Sequence, residues 1–260
     1  MPELPDVDAF RRTFAERAAG RTVRRVVVTD AGILRNAPAP TLDRALRGHR
    51  FEEPARHGKW LVCRTDGPAV LIHFGMTGEL EWADGQAGRH RYDRVIFVLD
   101  RGELRYRDMR KLRGLWLAHD EEEIAAILGP LGPDALTVNR RAFRELLGRR
   151  RGRAKAVLMN QGVLSGIGNL LADEILWHAR IHPSARVEDL SEEDVDRLHR
   201  ELRRILRASL RHDRVPARRE WLLRVRGLPG ATCPRCGTPL ARSEVAGRTT
   251  YACPRCQPPP

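Results

Sequence analysis

The chain has 260 residues, 42% of them hydrophobic, which is enough to bury one large core or two ordinary ones and excludes a disordered chain. Its 47 lysines and arginines outnumber 34 acids, and a net charge of +13 makes an anionic polymer the first partner to consider. No apolar run approaches the ~20 residues of a membrane span, and the start of the chain is charged rather than signal-like, so a reducing, non-secreted setting without membrane contact is expected.

The N-terminal "MPELPDV" supports two readings. Proline there makes a rigid helix entry, because its ring fixes φ and its missing N–H costs nothing. If Met1 is removed, Pro2 instead exposes a secondary amine that is partly unprotonated near neutral pH, with Glu3 beside it to move protons. Val7, Phe10, Phe14 and Ala18 recur at helical spacing, so residues 3–19 predict a helix stopped at Gly20.

Short β-rich runs follow: "TVRRVVV", "WLVCR", "AVLIHF", "RVIFVLD" and "ELRYRD". Turn signals separate several of them, which suggests a sandwich or barrel. Three loops stand out between the runs. "RHGKW" places Lys59 on a glycine turn. "HFGMTGEL" displays Met76 between two glycines, where an apolar side chain could enter a base stack. "RDMRKLRG" holds Arg110, placed to hydrogen-bond a base, and Leu112. Only three lysines occur among 44 arginines (Lys59, Lys111 and Lys155), so each marks a position where a compact point charge is wanted.

Near residue 120 the texture turns helical, in "DEEEIAAILG", "NRRAFRELLG", "AKAVLMNQ", "NLLADEILWHA" and "SEEDVDRLHRELRRILRASL". Asn139 reads as an N-cap and Ser191 with Asp194 as a capping box. Residues 140–155 carry eight basic side chains against one acid. In "NQGVLSGIGNLLADEI" a glycine turn leads into a helix at Asn169, a place to hold a phosphate.

The chain closes on Cys233-x2-Cys236 and Cys253-x2-Cys256, sixteen residues apart. Four thiolates at this spacing make a tetrahedral, closed and therefore structural zinc site. The segment between them reads as a hairpin turning at Ala246–Gly247, with Arg242 and Arg248 on it. Cys63, inside a strand, reads as a small core residue.

Taken together, "MPELP", "RHGKWL", "HFGMTG", "RDMRKL", "NQGVLSGIGN" and "CPRCG…GRTTYACPRCQ" resemble, in the same order, the motifs of the formamidopyrimidine-DNA glycosylase and endonuclease VIII family, closer to the formamidopyrimidine branch. The resemblance spans essentially the whole chain. It implies an α+β fold: an N-terminal helix and antiparallel β-sandwich (1–120), a linker region (121–136), a helix-two-turn-helix domain (137–226) and a four-cysteine zinc finger (227–260), with DNA between the two main domains.

The resemblance further implies a bifunctional glycosylase and AP lyase of base excision repair, acting on damaged or abasic double-stranded DNA in the cytoplasm at the nucleoid, with a monomer as the default. Pro2 is the implied nucleophile, Glu3 the acid/base and Lys59 the contact to the lesion or its phosphate. Met76, Arg110 and Leu112 match the void-filling positions, and Lys155, Asn169 and Arg248 those that hold the DNA backbone. Three departures bear on substrate. Leu112 stands where the 8-oxoguanine-excising branch usually has phenylalanine, Arg113 where glycine usually follows, and the segment 211–230 is short for a loop that caps 8-oxoguanine. Oxidised pyrimidines stay open as substrates. Two other readings also stay open, a non-catalytic damaged-DNA-binding protein on the same scaffold and a zinc-ribbon protein for RNA or protein.

Overall fold

The computed structural model describes residues 2–86 and 88–260. These fall into two compact units, divided after Pro130. Among the described residues no helix is long and apolar enough to cross a membrane.

The first unit opens with α1 (Leu4–Arg17), a little shorter than the periodicity predicts. Glu3 is its extended N-cap, and the Glu3 N–H donates to Asp6 Oδ2 at 2.9 Å as one arm of a capping box. The next elements are β1 (Val23–Val28), α2 (Ala39–Leu46), β2 (Ala55–His57), β3 (Trp60–Cys63), β4 (Ala69–His73), β5 (Glu79–Ala83), β6 (Asp93–Leu99), β7 (Glu103–Arg107), β8 (Gly114–Ala118) and α3 (Glu121–Leu128). Two four-stranded antiparallel sheets result, in the orders β1-β6-β7-β5 and β2-β3-β4-β8.

One hydrophobic cluster joins the two sheets. It takes Val23, Phe97 and Leu104 from the first, Leu61, Cys63, Val70 and Leu117 from the second, and Val7 and Phe14 from α1. That is the sandwich the strand runs predict, with Cys63 in the core as expected. Helix α2 was not legible, because Pro38 and Pro40 flank its start and the segment reads as a loop. It is held by its buried Leu42 and Leu46 and by Asp43, whose Oδ1 accepts from the Val26 N–H at 2.7 Å.

The second unit contains α4 (Arg140–Gly148), α5 (Ala154–Met159), α6 (Asn169–Ala179) and α7 (Glu192–Leu210). The predicted caps form: Ala142 N–H donates to Asn139 Oδ1 at 2.9 Å, and Asp194 N–H to Ser191 Oγ at 3.1 Å. Helix α6 is buried nearly all round, and it packs against α5, α7 and the closing hairpin of β9 (Ala241–Val245) and β10 (Arg248–Ala252). Ala246 and Gly247 both have positive φ, as a two-residue hairpin turn with right-handed twist requires.

Candidate active site and nucleic-acid interface

In the first unit, chain direction brings the N-terminus onto the sandwich. Pro2 and Glu3 are buried just ahead of α1, and α1 packs on β2, β3 and β5. Met1, and with it the expectation of its removal, lies outside the described residues. Arg56 ties α1 to the next site element. Its guanidinium lies 3.5 Å from Asp8 and donates to the Gly58 carbonyl at 2.9 Å. Gly58 and Lys59 are the two turn residues between β2 and β3, with His57 paired to Trp60. Gly58 has φ +57°, the positive value this tight turn demands of its first residue, and Lys59 is half-buried.

The two protruding loops of this unit are one assembly. Thr77 Oγ1 donates to Asp108 Oδ1 at 2.5 Å, and Arg110 N–H reaches both Thr77 Oγ1 at 3.1 Å and Asp108 Oδ1 at 3.0 Å. The Arg110 guanidinium lies against Met76 Sδ at 3.2 Å. Met76 is 36% exposed and Leu112 51%, so both apolar side chains stand outside the core. From behind, Phe10 of α1 packs on Phe74 with ring centroids 4.4 Å apart, Phe74 on Tyr106, and the Tyr106 hydroxyl donates to Asp108 Oδ2 at 3.2 Å. Gly78 closes the first loop, where a Cβ would sit 2.4 Å from the Phe74 carbonyl oxygen.

Lys111 is tied into this assembly. Its ammonium is 2.7 Å from Asp30 Oδ2, which holds the Asp30 carboxyl below its ordinary value. Arg35 donates to the Lys111 and Arg113 carbonyls at 2.7 and 2.5 Å. The loop carrying Leu112 is therefore clamped on both flanks.

His73, at the root of the Met76 loop, was missed by the sequence reading. Its ring is edge-on to Trp60 at 4.9 Å, and its Nδ1 accepts from the Gly75 N–H at 3.1 Å. Burial, with Arg113 and Lys59 nearby, pushes its pKa down to about 4, so it is a neutral imidazole at pH 7. Asp108 was also missed, although it lies inside the quoted "RDMRKL". A carboxylate that ties two loops together has no signature apart from the fold.

In the second unit, Asn169 is the first residue of α6, and Arg248 is the exposed first residue of β10. The structure joins them through Thr249. The Thr249 carbonyl accepts from Asn169 Nδ2 at 3.2 Å, Lys155 Nζ at 3.2 Å and Arg226 Nη2 at 3.0 Å. Lys155, which the resemblance puts on the DNA backbone, has a fully buried side chain. Its ammonium is 2.6 Å from Asp173 and donates to Thr250 Oγ1 at 2.7 Å. A phosphate could reach it only by displacing that pair. From this position Lys155 fixes the hairpin residue next to Arg248. Burial raises the Asp173 carboxyl, against the pull of Lys155 and of Arg226 at 2.9 Å.

The loop 160–168 is held internally by Gln161. Its amide donates to the Met159 and Ile167 carbonyls at 2.8 and 2.9 Å and accepts from the Gly166 N–H at 3.0 Å. Segment 211–230 is pinned to α6. Leu222 and Leu223 N–H donate to the Glu174 carboxylate at 3.1 and 2.8 Å, and Trp221 is buried.

Cys233, Cys236, Cys253 and Cys256 bring their sulfurs within 4.8 Å of one another, with the closest pairs at 3.5 and 3.9 Å. A tetrahedron with Zn–S near 2.3 Å needs sulfurs about 3.8 Å apart, so the set fits one structural zinc ion. The Gly237 and Gln257 N–H groups close the two knuckles on the Cys233 and Cys253 carbonyls. Gln257 Nε2 docks the finger on Ile181 O at 2.8 Å.

Residues 1–115 match the formamidopyrimidine-DNA glycosylase N-terminal domain, 131–219 the helix-two-turn-helix domain of the same enzymes, and 230–259 the zinc finger found in formamidopyrimidine-DNA glycosylases and isoleucyl-tRNA synthetases. A formamidopyrimidine-DNA glycosylase from Symbiobacterium thermophilum is 40% identical, over all of this chain and 90% of that protein. The Lactococcus lactis formamidopyrimidine DNA glycosylase, solved non-covalently bound to DNA containing an AP site, superposes with a TM-score of 0.89 at 29% identity, covering 99% of this chain and 100% of that one. The same enzyme solved with FAPY-dG-containing DNA gives 0.89 at 28% identity, with the same coverage.

Proposed function

Because this chain belongs to the formamidopyrimidine-DNA glycosylase family, and is a DNA glycosylase of base excision repair with AP lyase activity, we propose that Pro2 is its nucleophile and ring-opened purine its preferred lesion. The observation that carries this reading is the grouping in the first unit. A buried Pro2–Glu3 pair stands at the head of α1, Arg56 spans from α1 to the Lys59 turn, and Met76 and Arg110 are locked together through Thr77 and Asp108.

With Met1 removed, the Pro2 nitrogen attacks C1′ of the damaged nucleotide. The bond from C1′ to the base breaks, and the base leaves with the electron pair and takes up a proton. Glu3 protonates the sugar ring oxygen as the C1′–O4′ bond opens, which leaves an iminium between Pro2 and C1′. The cationic iminium acidifies the C2′ proton. Its loss expels the 3′ phosphate, and a second elimination expels the 5′ phosphate. Lys59 contacts the lesion or its phosphate. Met76, Arg110 and Leu112 fill the space that the extruded nucleotide leaves. Asn169 and Arg248 hold the backbone, and Lys155 positions Arg248 through Thr249.

The short, pinned 211–230 segment and Leu112 both favour ring-opened purines over 8-oxoguanine. Borohydride trapping tests the whole scheme, using duplexes that carry an abasic site, a formamidopyrimidine, 8-oxoguanine or an oxidised pyrimidine. The expected result is a reduced adduct on Pro2, formed fastest with the abasic and formamidopyrimidine duplexes. No adduct on any duplex, with Met1 shown to be absent, would overturn the mechanism. Fastest trapping on an oxidised pyrimidine would overturn the lesion assignment alone.

A further inference from the structure

The chain holds four methionines, and their surroundings differ. Met1 lies outside the described residues. Met159 ends α5 and is half-buried. Met76 and Met109 stand on the two joined loops of the first unit, 36% and 51% exposed. A thioether in solvent is open to two-electron oxidants, whereas a packed one is shielded.

Met76 differs from Met109 in one further respect. Its Sδ accepts from Arg110 Nη1 at 3.2 Å. Among the described residues no donor meets the Met109 sulfur, and the Arg110 guanidinium has no carboxylate partner, which leaves it spare donors beside Met76. The backbone around the contact is held. Thr77 Oγ1 and the Arg110 N–H both close on Asp108 Oδ1, and Gly75 turns the chain with φ +58°.

We propose that Met76 is a reversible oxidation site whose sulfoxide disables the wedge. The proposal rests on the reading of Met76 and Arg110 as void-filling residues. A lone pair on Sδ attacks one oxygen of hydrogen peroxide. The S–O bond forms as the O–O bond breaks, and the leaving hydroxide takes the proton of the transferred oxygen and departs as water. Sulfur loses two electrons and peroxide gains them. Arg110 faces the sulfur, so its guanidinium can donate to the oxygen as charge builds there. The sulfoxide oxygen is a far stronger acceptor than the thioether. Arg110 is then held on Met76 by a charge-assisted bond instead of turning to a base. A polar, hydrogen-bonded side chain also inserts poorly between bases. Met109 gains the same oxygen, but no guanidinium contact depends on its sulfur.

The test treats the full-length zinc-loaded protein with a graded series of hydrogen peroxide and then removes the peroxide with catalase. Peptide mass analysis locates added oxygen, zinc is measured on the same sample, and excision from a formamidopyrimidine duplex is followed in single turnover. The expected result is oxygen added to Met76 and Met109 before Met159, zinc retained, and excision slower by about tenfold. Cleavage at a preformed abasic site should change less. Met109→Leu should lose excision on oxidation as the parent does. Met76→Leu, compared with its own untreated rate, should not. Met76→Gln carries a permanent carbonyl acceptor and should be slow before any oxidant is added. Methionine sulfoxide reductases for both epimers should restore the parent. An oxidised Met76 with unchanged excision overturns the proposal. So does an equal loss in Met76→Leu, or a loss that follows zinc release. An untreated parent that excises nothing overturns the enzymatic reading and leaves Met76 standing as an oxidation site.

Discussion

Glu3 does two jobs that one substitution separates. Its N–H caps α1 through Asp6, a bond that glutamine at position 3 preserves, whereas the proposed proton transfer needs the carboxyl group. Glu3→Gln should therefore keep its melting temperature within a few degrees and lose base excision by about 10²- to 10⁴-fold in single-turnover assays. His73 supplies a pH signature. Its folded pKa of about 4 lies below the ordinary value of 6.5, so between these the unfolded chain binds more protons. Stability is then full above pH 6.5 and falls as pH drops toward 4, by roughly 2 kcal/mol from this residue once its partial exposure is allowed for. A His73→Gln variant should show a shallower loss of melting temperature over that window. Equal slopes for variant and parent would mean that the ring is not held neutral.

Among elements, the two protruding loops are joined by Thr77 with Asp108 and by Arg110 against Met76. Thr77→Val keeps the volume and removes the hydroxyl that bonds to Asp108 and receives the Arg110 N–H. Excision from duplex should fall by about tenfold to a hundredfold, because the proposed wedge residues, misplaced by an ångström, lose their purchase on the stack. Strand cleavage at a preformed abasic site should change less. Comparing the two rates on matched duplexes checks this. In the helical unit, Lys155→Met leaves Asp173 facing Arg226 alone in the interior. Breaking a buried pair in this way costs about 3 kcal/mol, visible as a lowered denaturation midpoint. DNA affinity should also weaken, because Thr249 loses one of the three donors that fix the strand beside Arg248.

For the molecule as a whole, one zinc ion and a net charge of +13 set the conditions under which it works. Chelation should release one zinc per chain and weaken duplex binding, since the hairpin that carries Arg248 is docked through the finger and Trp177. Metal analysis and a DNA titration on the same sample would show it, and duplex binding unaffected by full zinc loss would detach the finger from DNA contact. The sequence by itself determined the elements whose signals are local. Five of the sandwich strands, β1, β3, β4, β6 and β7, follow from β-rich runs and turn signals, the caps at Asn139 and Ser191 from side-chain chemistry, and the hairpin turn at Ala246–Gly247 and the cysteine quartet from spacing. It also ranked the three lysines as special, without saying how they differ. Only the tertiary structure decided that the Lys59 turn lies beside α1, that Lys111 clamps a loop to Asp30, and that Lys155 is buried behind a hairpin. It also decided that Arg144 of the basic run is paired with Asp196. The physical reason is the same in each case. Capping, turn geometry and metal ligation depend largely on residues a few positions apart. Burial and ion pairing depend on distant partners: Asp30 lies 81 positions from Lys111 and Asp196 lies 52 from Arg144, and only the completed packing brings each pair within 3 Å.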